Sequence, residues 1–520
     1  MADIVLVNPR FEVSYWGFEH ALPLLRKRAN LPTACLPLLA ALTPSRHQVT
    51  LIDENVEEID FERLAQADIV GLTGMCVQRE RMAEILQELK RRGVFCVVGG
   101  PWVTVQEDYF GELTDVIFVG EAEETWPRFL HDWEAGAHAQ RYEQQDRTDM
   151  TRVPVPRYDL LKMRHYMFGS VQFSRGCPFQ CEFCDIIVTF GRRPRLKTSA
   201  QVLRELEALR TSGMTIAFVV DDNLIGSKQA IKQILREIAA WQQRNGFPLL
   251  LSTEASIDLA DDEELMRLMT EANFITVFVG IETPNQAALR ETRKFQNLRG
   301  ERTLVEKVHS MQAAGLEVWC GLIVGFDHDD AGVFDLQRDF VERSRISHSM
   351  LGMLSAIPKT PLHARLVAEG RLDEEGHEEF GTNVVPALIS REQLREGYRQ
   401  LQRELHEPEA YFDRLDRLYL DGDFYFAQPR ARYWRKHPGA WLRGNLGDLA
   451  KSIGVLFSLM LNVKDPHLRQ VYRRRVLRLV RRRPDPAVIF AYVLKCVIHY
   501  HHYTMAQQMT NKESRLVNTF

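Results

Sequence analysis

Short apolar runs alternate along this chain with stretches in which apolar residues recur every three or four positions. In the first part the runs cover residues 4–7, 49–52, 69–73, 94–98 and 116–119. Runs that are short and apolar throughout, with helical spacing between them, predict strands covered on both faces, hence an α/β domain with a doubly wound parallel sheet over residues 1–140. Such sheets bind ligands beyond the carboxyl ends of their strands. Those ends carry Asn8-Pro9, Asp53-Glu54-Asn55, Thr73-Gly74-Met75, Gly99-Gly100-Pro101 and Gly120-Glu121. Tight turns explain any one of these glycines as well as binding does. Five successive strand ends of this character point to a ligand.

Residues 141–168 break the rhythm with polar character and with Pro154 and Pro156, which predicts a linker. A second alternation follows, with strands expected at 171–174, 216–220, 249–253, 277–280, 318–324 and 350–356. Six strand-helix units over residues 169–365 predict an incomplete parallel barrel. From 366 to 520 the pattern is helical, charged and aromatic, which predicts a mainly helical carboxyl-terminal domain.

Composition narrows the class. The 520 residues are 45% hydrophobic and 26% charged, with a mean hydropathy of -0.25, which excludes a disordered, fibrous or bulk membrane protein. The most apolar stretches, 452–461 and 487–498, fall short of the roughly 18 apolar residues that a spanning helix needs. No secretory signal precedes the first run, so cytoplasmic residence is expected. The net charge of -4 conceals an asymmetry: between Arg430 and Arg483, 15 lysines and arginines stand against only Asp448 and Asp465. Within this region residues 472–483 place Tyr472, Val476, Leu479 and Val480 at helical spacing among seven arginines. That basic amphipathic helix suits either peripheral contact with an anionic membrane or packing on the acidic remainder of the protein. Nucleic acid is the weaker partner, because no recognised binding motif accompanies the charge.

Of eight cysteines, three fall within eight positions, in Cys177-Pro-Phe-Gln-Cys181-Glu-Phe-Cys184, just after the first barrel strand. Three thiolates at this spacing can hold three irons of a 4Fe-4S cluster and leave the fourth open. Structural zinc wants a fourth ligand close by, and no Cys or His follows within a hundred residues. The motif, with Phe183 before its last cysteine, resembles the signature of the radical S-adenosylmethionine superfamily. The resemblance implies that Cys177, Cys181 and Cys184 bind the cluster and that its open iron binds S-adenosylmethionine, which is cleaved to a 5'-deoxyadenosyl radical. It also implies S-adenosylmethionine contacts from Phe183, from Asp221, Asp222 and Asn223 after strand two, from Glu254 and Glu282, and from Gly321, Ile323 and Gly325. The acidic residue that the family often places three positions beyond this last glycine is replaced by His328, with Asp327 before it. Helix capping and loop solvation are the competing explanation for each carboxylate.

The amino-terminal domain resembles the Rossmann-like cobalamin-binding domain that precedes the barrel in one class of this superfamily. That implies cobalamin contacts from Thr73, Gly74, Gly99, Gly100, Gly120 and Glu121, with the glycines admitting a bulky ligand. The Asp-x-His-x-x-Gly motif is absent, so no histidine ligand for cobalt is expected from it. Cys35, Cys76 and Cys96 could instead form the second cluster of methylthiotransferases, but Cys35 and Cys96 sit in apolar elements and read as core. The combined resemblance implies a methylase acting on an unactivated carbon, supplied with electrons by a flavodoxin or ferredoxin. Phe18 to Leu24 and Asp53-Glu54-Asn55 are similar to the hopanoid C-2 methylase subgroup, which implies a lipid or other small-molecule substrate. A radical cyclase or oxidase of the same class, or a non-catalytic corrinoid or iron-sulfur sensor, is the alternative.

Overall fold

The computed structural model describes residues 1–373, 377–422, 424–509 and 518. The five apolar runs form β1 (Asp3–Asn8), β2 (Gln48–Asp53), β3 (Ile69–Thr73), β4 (Cys96–Gly99) and β5 (Val116–Val119). A sixth strand, β6 (Arg141–Glu143), pairs with β5 inside the stretch that the sequence marks as linker. Only Tyr142 of this strand is buried, against Phe118 and Phe129, so it has no apolar run to betray it. All six strands run parallel in the order β2-β1-β3-β4-β5-β6, which reverses direction between β1 and β3. Burial on both faces explains the unbroken apolar runs. Val5, Val7, Val70 and Leu72 pack with Met82, Ile85, Leu86 and Leu89 of helix Arg79–Arg91. Their neighbours Ile4, Leu6, Ile69 and Val97 pack with Trp126, Phe129 and Leu130 of helix Thr125–Glu134.

The second alternation forms β7 (Gly169–Val171), β8 (Ser174–Arg175), β9 (Arg195–Leu196), β10 (Ile216–Val219), β11 (Leu250–Glu254), β12 (Phe274–Glu282), β13 (Glu317–Val324) and β14 (His348–Met353). Six of them make one parallel sheet, β7-β10-β11-β12-β13-β14, while β8 and β9 form a short antiparallel ribbon beside the cysteine loop. Because β7 and β14 are edges rather than partners, the barrel is partial. The chain's own ends join the barrel core: Phe18 lies 5.6 Å from the ring of His348, and His502, from helix Pro486–Gln508, lies 4.6 Å from it. Trp16 packs on Phe278 of β12 at 5.0 Å.

The carboxyl-terminal region is helical, as expected. Helices Pro408–Tyr419, Pro466–Arg482 and Pro486–Gln508 each begin with proline after an acidic cap, Glu407, Asp465 and Asp485, whose carboxylates accept backbone N–H groups left free in the first turn. The arginine-rich helix turns its apolar stripe inward: Tyr472, Val476 and Leu479 are buried, and of the stripe only Val480 is exposed. Its arginines meet the acidic remainder, Arg475 with Asp413 at 2.7 Å and Asp416 at 2.8 Å, and Arg478 with Asp416 at 3.0 Å. Of the two expectations for this helix, packing on the protein is the one observed. No helix among the described residues is long and apolar enough to cross a membrane.

Candidate active site

The cysteine loop is shaped by its surroundings. Gly176 adopts φ +95°, and a Cβ there would lie 2.9 Å from the Gly191 carbonyl oxygen and 3.0 Å from that of Arg193, so only glycine fits. Beyond it the Cys177 N–H donates to the Gly191 carbonyl at 3.2 Å, the Glu182 N–H to the Thr292 carbonyl at 2.9 Å, and the Leu362 N–H to the Glu182 carbonyl at 3.1 Å. Arg365 Nε holds the Glu182 carboxylate at 3.0 Å. The loop is therefore tied to both neighbouring elements, with its three thiols unpaired. The sulfurs receive amide donors, Asn223 Nδ2 at 3.9 Å from Cys177 Sγ and Gln296 Nε2 at 3.4 Å from Cys181 Sγ. Buried Lys294 stands 5.8 Å over the Phe183 ring and pairs with Glu282. Against the opposing effect of burial, Glu282 and Cys181 raise its pKa and keep it charged. Three free thiols in one loop, amide donors and a nearby cation fit a 4Fe-4S cluster, whose net negative charge is tuned by such contacts.

The predicted carboxylates divide into two groups. Asp221 accepts the Phe173 N–H at 2.7 Å and the Ser174 hydroxyl at 2.6 Å, and Asp222 accepts the Gly176 N–H at 2.7 Å. Both shape the strand that leads into the cysteine loop, and burial pushes their pKa values up to about 7 and about 6. Asn223 bonds Ser256 as well as approaching Cys177. Glu254, by contrast, receives no side-chain hydrogen bond among the described residues. Burial first, then the charges of Asp222, Asp221 and Glu282, push its pKa up to about 7. It is the carboxyl with an unmet demand for a cation. Glu282 lies at φ +61°, where the pairing of β12 with β13 bulges, and its demand is met by Lys294.

On β13, Ile323 joins Phe183, Phe326 and Leu354 in one apolar cluster, and Gly321 lies in register with Gly280. The Gly325 N–H donates to Asp329 Oδ2 at 3.0 Å, so the carboxylate of this turn is Asp329, four residues on. Asp327 is engaged by Arg365 and Arg371, and His328 pairs with Glu291 at 2.8 Å.

At the carboxyl ends of the first sheet the glycines differ in the space around them. Gly100, at φ +102°, would place a Cβ 2.5 Å from Thr73 Oγ1, and Gly74 would place one 2.5 Å from Met82 Sδ. Gly99 would place one 3.2 Å from the Phe118 Cβ. All three glycines are closely packed within the domain, Gly100 most tightly because Gly74 backbone atoms also lie within 3.2 Å of its Cβ position. Gly120, at φ +79°, is the one with open space around its Cβ position. Glu121 is not free for a ligand: its buried carboxylate takes Arg175 at 2.8 Å, Arg195 at 2.9 Å and the Thr148 N–H at 3.0 Å, tying the first domain to the start of the cysteine loop. Sequence reasoning missed Lys294 and Gln296, which lie in an irregular segment without a motif. It also passed over Val77, which with Met75 follows β3; the two are 42% and 52% exposed, an apolar surface at the ligand-binding end of the sheet.

Three family models cover most of the chain: a B12 binding domain over residues 30–130, the radical SAM superfamily over 171–337, and a domain of unknown function (DUF4070) over 360–515. An uncharacterised methyltransferase of Synechocystis is 36% identical, covering 98% of this chain and 92% of its own. The hopanoid C-2 methylase of Rhodopseudomonas palustris is 33% identical, covering 88% and 86%. The chain belongs to the cobalamin-dependent radical S-adenosylmethionine methyltransferases. Its fold agrees with the cobalamin-dependent radical enzyme OxsB, at a TM-score of 0.64 over 99% of this chain and 85% of that one, with 14% identity. It also agrees with the methyltransferase TsrM from Kitasatospora setae, at 0.58 over 71% and 75%, with 16% identity. This methyltransferase uses a 4Fe-4S cluster, S-adenosylmethionine and cobalamin. A non-catalytic sensor is thereby displaced.

Proposed function

We propose that the enzyme methylates an unactivated carbon of a lipid, a hopanoid or a closely similar polycyclic molecule. The observation that carries this reading is the 33% identity with the hopanoid C-2 methylase, which runs through all three regions of the chain. Bound together, the three cofactors supply a 5'-deoxyadenosyl radical that takes hydrogen from the substrate carbon and a methyl group that replaces it. Cys177, Cys181 and Cys184 hold the cluster, with Asn223 and Gln296 as donors to its sulfurs and Lys294 balancing its charge. Glu254 takes the ammonium group of S-adenosylmethionine, while Phe183, Gly321, Ile323 and Gly325 bound its purine and ribose side. Met75, Val77 and Gly120 would border the corrinoid when it is bound, and Asp221, Asp222, Glu121 and Arg175 act as positioning residues for the cysteine loop. Electrons come from a flavodoxin or ferredoxin.

The test is anaerobic reconstitution with iron, sulfide and cobalamin, followed by incubation with methyl-labelled S-adenosylmethionine, a reductant and a hopanoid. Label in the hopanoid with release of 5'-deoxyadenosine is the expected result, and Cys181→Ala should lose both together with its iron. Deoxyadenosine released without labelled hopanoid would move the substrate elsewhere and leave the family untouched.

A further inference from the structure

One helix face has no partner among the described residues. Helix Pro438–Asn462 buries Asp448, Ser452 and Leu459 and packs against helix Pro486–Gln508 and the turn Leu22–Leu25. Its other side carries Leu442, Leu446, Leu449, Ile453, Phe457 and Leu461, at steps of three and four that keep them in one stripe. Each is between 41% and 66% exposed. Scattered surface leucines need no explanation, but six in register over about 28 Å of helix, at 1.5 Å per residue, mark an interaction surface. Trp441, 49% exposed, stands at the head of the stripe.

Charge selects the partner. Arg432, Arg435, Lys436, Arg443 and Lys464 are exposed on this helix and its flanks, and none has a carboxylate within ion-pair distance among the described residues, whereas Lys451 lies 5.6 Å over the Phe490 ring of the neighbouring helix. The one acid from Arg430 to Lys464, Asp448, is buried 3.5 Å from Arg430. A second copy of the chain docking across a two-fold axis would bring these cations against themselves. We propose that this face lies on an anionic phospholipid bilayer, with the leucine and phenylalanine stripe at the acyl-chain boundary and the flanking cations against phosphates. The helix lies in the surface and does not cross it, since it is not apolar enough to span. The docking element is therefore not the arginine-rich helix that follows. The inference stands on the surface alone and does not depend on a lipid substrate.

Co-sedimentation of the full-length protein with vesicles tests it, using phosphatidylcholine with and without phosphatidylglycerol. Binding is expected to the anionic vesicles and to weaken with salt. Combined Leu446→Ser, Ile453→Ser and Phe457→Ser should reduce partitioning about tenfold or more. Combined Arg443→Gln and Lys464→Gln should reduce it several-fold, on anionic vesicles alone. Thermal unfolding of each variant checks the fold, and single Phe457→Ser decides the matter if the triple variant melts early. Wild-type protein left in the supernatant at low salt, or equal binding by a folded serine variant, would overturn the proposal. So would a wild-type dimer that Phe457→Asp separates, because the face would then be covered by a second copy.

Discussion

Glu254 sits among three other carboxylates, Asp221, Asp222 and Glu282, and alone of the four draws no donor from the described protein. A carboxyl held at about 7 by burial and like charge is half protonated near neutrality, and a bound ammonium group restores its ionised form. Glu254→Gln should therefore raise the KM for S-adenosylmethionine about tenfold or more, the scale of a charge-assisted hydrogen bond, while iron content stays the same. The wild-type KM should rise as the pH falls below 7, and the variant should lose that dependence; reductive-cleavage kinetics at several pH values read both. His501 makes the opposite case. Burial, then the charge of His20, lower its pKa from 6.5 to about 3, and its Nε2 lies 2.9 Å from the Ser14 carbonyl. Below about pH 6.5 the unfolded chain takes up a proton that the folded one refuses, so this group's stability is present above that pH and drains away towards pH 3. His501→Asn should flatten the dependence of urea stability on pH between 6 and 5 by about 1.4 kcal/mol per unit, one proton's worth. An unchanged slope would mean that His501 is not held neutral.

At the scale of elements, the strand-helix alternation was plain because both parallel sheets are covered on two faces, so their strands are written as unbroken apolar runs. β6 escaped because three residues with one buried tyrosine carry no period. The cysteine loop was legible for a chemical reason, since three thiols in eight positions have few structural uses. The turns after β3 and β4 are ambiguous in sequence because a glycine that admits a ligand and one that admits a neighbouring strand look alike in one dimension. Gly100 decides between them: with Thr73 Oγ1 2.5 Å from its Cβ position and φ at +102°, Gly100→Ala should destabilise the first domain by about 1–3 kcal/mol even without corrinoid. Thermal unfolding of the cofactor-free protein measures it. Loss of cobalamin affinity at unchanged stability would return Gly100 to the ligand. The arginine-rich helix shows the same limit, because sequence spacing reveals a stripe and not what covers it.

Across the whole molecule, the two sheets meet through buried charge. Glu121 stands between Arg175 and Arg195, with Glu123 at 2.6 Å from Arg175, so the end of β5 and the entry to the cysteine loop are one unit. Removing one member leaves a buried cation short of its counter-charge, and Glu121→Gln should cost about 3 kcal/mol or more in urea unfolding. A loss under 1 kcal/mol would show that water reaches the cluster. The contacts between the extremities of the chain bear on its biosynthesis. The His20 N–H donates to His501 Nδ1, and His501 reaches back to Ser14, across 481 and 487 residues. At about 5–20 residues per second, the ribosome needs about 25 to 95 s after finishing the first of these segments to deliver the second. For that interval Tyr15 and Phe18, buried in the finished enzyme, lack His502, which lies 5.4 Å and 5.9 Å from their rings, and the nascent barrel is open on that flank. Until helix Pro486–Gln508 has left the ribosome, that flank is exposed to non-native contacts.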